Sequence, residues 1–211
     1  MLVDSYFRSS ASFRVRIALN LKGLAYDYVT VDLLKKEQSA PGYAAMAPAQ
    51  LVPLLKDGDA LIGQSLAIIE YLDETQPMPA LLPRDALGRA RVRALSYDIA
   101  CEIHPLNNLR VLRYLVNDLK LSEDDKNRWY RHWVETGLEA VERQLADPRT
   151  GRFCHGDTPS MADLCLVPQI FNARRVDSRL DHVPIVMRIY GECMKLAAFE
   201  ETRPEKCPDA F

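Results

Sequence analysis

The sequence contains no Cys-x-x-Cys pair, no His-Glu-x-x-His and no long apolar run, and each absence removes a class of protein. Its five cysteines (Cys101, Cys154, Cys165, Cys193 and Cys207) are scattered and odd in number. That pattern argues against a disulfide framework or a zinc site and for a reducing, cytoplasmic compartment. The four histidines are equally dispersed, so no metal is expected. A basic excess is also missing: the formal net charge is −2, which argues against a sequence-independent nucleic-acid binder. No stretch is long enough to span a bilayer, and Asp4 and Arg8 interrupt the N-terminal apolar run, so neither a membrane partner nor a signal peptide is expected. What remains is an ordinary globular composition, 48% hydrophobic and 27% charged, with room in 211 residues for one large or two small domains.

The stretch around which the rest is organised is Ser9-Ser10-Ala11-Ser12-Phe13-Arg14-Val15-Arg16-Ile17-Ala18-Leu19. Leu2 to Phe7 before it reads as a strand. After it, Val15, Ile17, Ala18, Leu19 and Leu21 supply a helical apolar face that Gly23 can close. The serines are turn and N-cap residues. A helix start presents unpaired N–H groups and partial positive charge, so it stabilises an anion such as a thiolate. No cysteine lies in the turn, so any sulfur activated here must arrive on a ligand.

Tyr26 to Val31 reads as a second strand, parallel to the first through the helical crossover. Leu33 to Ala47 is expected to be loop with at most a short helix. Gln50-Leu51-Val52-Pro53-Leu54-Leu55 reads as a strand whose proline leaves an unpaired edge or a bend, and Asp57-Gly58-Asp59 signals a hairpin to Ala60–Ile62. A free edge at Val52 can accept an extended peptide. Gln64-Ser65-Leu66-Ala67-Ile68-Ile69-Glu70-Tyr71-Leu72 opens a second helix, with Ser65 at or beside its cap and a second anion-ready start. After Pro77 and Pro79 no further strand is expected. Helices are expected over about 86–118, 123–146, 160–175 and 184–198, the first kinked at Pro105. His104 and Asn108 are spaced to share one face of that helix, Ser160 to Asp163 fits a capping box, and Trp129 and Trp133 read as core.

Taken together, these segments resemble the zeta class of glutathione transferases, the class of maleylacetoacetate and maleylpyruvate isomerases. The resemblance covers essentially the whole chain, and its most specific parts are the Ser9–Leu19, Gln50–Pro53 and Gln64–Leu72 runs. It implies an α/β thioredoxin-like N-terminal domain over 1–80 and an all-α C-terminal domain over 86–211, as a cytoplasmic homodimer using glutathione as cofactor. By motif position it assigns Ser9 to the glutathione sulfur with Ser10 nearby. Val52, before a cis Pro53, falls on the cysteinyl backbone, Gln64 and Ser65 on the γ-glutamyl end, and Gln50 along the tripeptide. His104 and Asn108 would line the same cleft and contact both glutathione and the substrate. Arg8, Arg110 and Arg175 are the candidates for gripping carboxylates or the developing negative oxygen of a dicarboxylate substrate, with Arg8 and Arg110 counted as catalytic together with the two serines.

The implied activity is glutathione-dependent cis–trans isomerisation in aromatic catabolism, such as tyrosine degradation. The alternative is a general transferase that conjugates small electrophiles. Ala11 stands where many relatives carry cysteine, which disfavours reactions that need a mixed disulfide with the protein.

Overall fold

A computed structural model describes residues 1–211. The chain forms two compact units, one made of Met1–Leu81 with Lys195–Phe211, the other of Leu82–Met194.

The first unit is built on a four-stranded sheet in the order β2-β1-β3-β4. Its strands are β1 (Leu2–Ser5), β2 (Asp27–Thr30), β3 (Leu54–Asp57) and β4 (Ala60–Gly63), and its helices are α1 (Ser10–Leu21), α2 (Pro41–Met46) and α3 (Ser65–Thr75). As expected for strands joined by a crossover helix, β1 and β2 are parallel. β3 is antiparallel to both β1 and β4. The third strand starts later than the sequence suggests, because Pro53 cannot donate to a ladder and pairing begins at Leu54. Gly58, at φ +56, makes the predicted turn to β4. Phe13, Val15, Ile17, Ala18 and Leu19 of α1 and Ile68, Ile69 and Leu72 of α3 are buried, giving this unit its core. This is the expected thioredoxin-like arrangement.

The second unit contains helices only, as expected: α4 (Ala86–Tyr97), α5 (Leu109–Asn117), α6 (Glu123–Leu145), α7 (Met161–Arg175) and α8 (Pro184–Cys193). α7 is buried along most of its length. Its capping box is formed: Asp163, fully buried, accepts the Ser160 N–H and hydroxyl at 2.8 Å each and the Cys154 N–H at 2.9 Å.

Three expectations are corrected. The helix over 86–118 is not one kinked rod but α4, a wide π-type stretch over Asp98–Ile103, a 3-10 turn over Pro105–Asn107 and then α5. Trp129 and Trp133 are half-buried, their rings T-shaped at 5.7 Å, and Trp129 Nε1 donates to the Leu106 carbonyl at 2.9 Å. The helical domain drawn over 86–211 loses its last part, because Lys195–Phe211, which holds α9 (Ala197–Glu200), packs with the first unit. The reason is concrete: buried Arg16 on α1 donates to the Thr202 carbonyl through Nε at 3.3 Å and Nη2 at 3.2 Å.

Candidate active site

Strand directions alone gather the candidate residues of the first unit. β1 runs antiparallel to β3, with Asp4 opposite Leu54, and Leu54 lies opposite Gly63 of β4. The end of β1, the start of β3 and the end of β4 therefore share one end of the sheet. Ser9 follows the first, Val52–Pro53 precedes the second, and Gln64–Ser65 follows the third. Tyr6, Phe7 and Val52 belong to one buried apolar cluster.

At the mouth of α1, Ser9 is the N-cap, in extended conformation, and its Oγ accepts the Ser12 N–H at 3.2 Å. Its own N–H donates to the Tyr6 carbonyl at 2.9 Å. The Ser9 hydroxyl hydrogen is used by neither bond and has no partner within the protein. Ser9 is half-buried, so a hydroxyl with an uncommitted hydrogen stands at the positive end of a helix. Ser10 is buried as the first helical residue. Arg8 is exposed and no carboxylate in the protein pairs with it. Instead its Cζ lies 4.8 Å from the Phe7 ring centre and 5.1 Å from that of Phe211.

Val52 precedes a cis peptide to Pro53, and neither its N–H nor its C=O is bonded within the protein. An unpaired donor and acceptor on one residue are what an added extended peptide needs. Gln50 and Gln64 both adopt left-handed φ, +54° and +65°. Side chains rarely adopt that region unless the surroundings enforce it. Gln64 caps α3 through its backbone, the Ile68 N–H donating to its carbonyl at 3.0 Å, and its side-chain amide is exposed and makes no bond in the protein. Ser65 is therefore the first helical residue rather than the cap. Its Oγ accepts from Arg14 Nη1 at 3.3 Å.

The second unit carries the remaining candidates. His104 is half-buried and closes the π-type stretch, its N–H donating to the Ile99 carbonyl at 2.9 Å. Asn108 caps α5, its Oδ1 accepting the Arg110 N–H at 3.1 Å. The helix break between them means that His104 and Asn108 do not share a helical face, contrary to the spacing argument. Arg110 is exposed with an unpartnered guanidinium. Arg175 is exposed in the last turn of α7 and reaches Asn172 Oδ1 at 3.4 Å.

Four residues were missed. Arg14 and Arg16 are buried, at 2% and 1% exposure, although mid-helix arginines ordinarily face water. Asn107 is buried with both side-chain amide atoms unpartnered. Asp209, 202 positions from the residue it supports, accepts the Phe7 N–H at 3.0 Å. A wide spread of arginines on an otherwise apolar helix was the one available signal for the first pair. The last two carry no local pattern.

The chain matches the family model described as the glutathione S-transferase N-terminal domain over residues 5–80 and the one for the C-terminal domain over 128–192. It is 50% identical over 202 residues to a maleylacetoacetate isomerase of Rhizobium meliloti, covering 95% of this chain and 94% of that one. Among solved structures it is similar to a holo maleylpyruvate isomerase, described as a bacterial zeta-class glutathione S-transferase, with a TM-score of 0.98, 45% identity and full coverage of both chains. It is also similar to a maleylacetoacetate isomerase of Methylobacterium extorquens AM1 solved with malonate and glutathione bound, with a TM-score of 0.97, 39% identity and full coverage of both chains.

Proposed function

The chain belongs to the glutathione transferase family, and from that premise we propose that it is a glutathione-dependent cis–trans isomerase of maleylacetoacetate or maleylpyruvate, acting in aromatic catabolism. The observation that carries the reading is the Ser9 hydroxyl, which caps α1 by accepting and so keeps its hydrogen for a sulfur. Other features of the first unit suit the tripeptide. Val52 offers a free donor and acceptor to its cysteinyl backbone, and Gln64 a free amide to its γ-glutamyl end, beside the start of α3. Ser65 and Gln50 complete the set.

Bound glutathione supplies a nucleophilic thiol that adds reversibly to the substrate's double bond, lets it rotate, and is released unchanged. The protein's share is electrostatic. Ser9 donates a hydrogen bond to the ionised sulfur, and the α1 dipole favours its charge. Ser10, the first residue of the helix, stands beside it.

Arg8 brings an uncompensated cation next to this turn, suited to a carboxylate or to negative charge developing on the substrate's ketone oxygen. Arg110 and Arg175 are assigned to the same anionic chemistry, and His104 and Asn108 to the ligand walls. The reading further takes the protein to be a cytoplasmic homodimer. No helix is long and apolar enough to cross a membrane.

The test is an assay in which loss of the cis-enedione absorbance is followed alongside total glutathione. Isomerisation consumes no glutathione over many turnovers. Stoichiometric consumption with each substrate would establish conjugation in its place. Sedimentation at micromolar concentration checks the dimer.

A further inference from the structure

We propose that Phe211 and Asp209 are positioning residues for Arg8: the segment Lys195–Phe211 is a strap that holds this cation in place while leaving its charge unspent. The proposal rests on the assignment of Arg8 to a substrate carboxylate.

The strap is tied at several points. Thr202 accepts the Arg16 guanidinium, and Cys207 and Ala210 pack on the cluster of Tyr6, Phe7 and Val52. β1 ends at Ser5, so the Phe7 N–H has no strand partner. Asp209 Oδ2 accepts it at 3.0 Å, while Oδ1 accepts the Tyr28 hydroxyl at 2.6 Å. The Phe7 carbonyl accepts Arg16 Nη2 at 3.3 Å, so both peptide groups of the residue before Arg8 are fixed. Anchored this way, Phe211 meets the Phe7 ring edge-on at 4.9 Å and the Arg8 guanidinium at 5.1 Å.

The chemistry of the hold matters more than its strength. Phe211 is 76% exposed, so burial does not explain where its ring lies. A carboxylate neighbour would fix Arg8 but neutralise it and occupy its N–H fork. Aromatic rings attract a guanidinium through their quadrupole and leave both the net charge and the in-plane donors available. Phe211 and Asp209 also border an open cleft of ≈ 380 Å³ whose charged lining is mixed, Lys35 beside Asp32 and Glu37.

The experiment uses the full-length protein and compares Phe211→Leu, which keeps an apolar side chain but removes the ring, with Phe211→Trp, alone and in an Arg8→Ala background. Maleylpyruvate turnover and the glutathione Kd are the readouts. One exposed cation–π contact corresponds to about a two- to fivefold change. Phe211→Leu should raise the KM for maleylpyruvate by about that factor, with kcat moved less and the glutathione Kd unchanged, and Phe211→Trp should restore it. In Arg8→Ala, Phe211→Leu should have no further effect, since a residue acting through Arg8 is silent without it. A wild-type KM in Phe211→Leu, a parallel change in the glutathione Kd, or the same penalty with and without Arg8 would overturn the strap's role alone. If Arg8→Ala itself leaves maleylpyruvate turnover intact, the assignment of Arg8 fails first and the strap falls with it.

Discussion

Two arginines, one from each unit, are treated in opposite ways. In the first, Arg16 is buried and spends its donors on the Ser5 hydroxyl and on the carbonyls of Phe7 and Thr202. In the second, Arg110 is exposed and its guanidinium makes no hydrogen bond, ion pair or ring contact in the protein. The first arrangement builds a rigid seat: from Tyr6 to Ser12 the backbone is bonded to β1's continuation, to the strap and to the Ser9 cap. The second leaves a cation available. Arg8 stands in between, held by rings without being neutralised. The comparison teaches that an arginine's role follows from what already occupies its fork, not from its residue type.

Replacing both kinds of arginine is the sharpest way to break the comparison. Arg16→Met leaves buried carbonyls unpaired and should cost about 3–5 kcal/mol of stability, read as a fall in the urea midpoint. Arg8→Ala and Arg110→Ala should instead leave the midpoint near wild type and lower turnover by about 100- to 1,000-fold, with little change in glutathione affinity. An unfolded Arg110→Ala, or an active and stable Arg16→Met, would erase the distinction.

How much of this was legible in the sequence divides along the same line. Strand, serine turn and helix follow one another within 21 residues, and the Asp-Gly-Asp and Gln-Ser signals are local, so the sheet and the Ser9, Val52 and Gln64 positions could be read directly. The burial of Arg14 and Arg16 could not, because it depends on partners such as Ser65 and Thr202 that lie 51 and 186 positions away. In the sequence the break between Asp98 and Asn108 looks like a kink, because the apolar spacing continues through it and Pro105 is the evident breaker. The strap gave no local signal that it returns to the first unit.

Smaller effects refine the picture of the second unit. Asn108→Ala removes the α5 cap and should cost about 1 kcal/mol, checked by denaturation. Burial pushes the Asp163 carboxyl above its ordinary value. The folded state then keeps that proton to a higher pH than the unfolded chain, whose carboxyl titrates near 3.9. Stability from this group therefore falls as pH rises from that value towards the raised one. Compared with Asp163→Asn, which removes the titrating carboxyl, the wild type's urea midpoint should lose ground as pH rises across the acidic range.

The central idea is that Ser9 steadies a sulfur the protein does not itself possess. Ultraviolet titration of bound glutathione follows that sulfur directly through the absorbance of its thiolate. The wild type should hold the thiol ionised near neutral pH, and Ser9→Ala should move the titration upward by about one to two units, the equivalent of one charge-assisted hydrogen bond. A Ser9→Ala complex that titrates with the wild type would contradict the account.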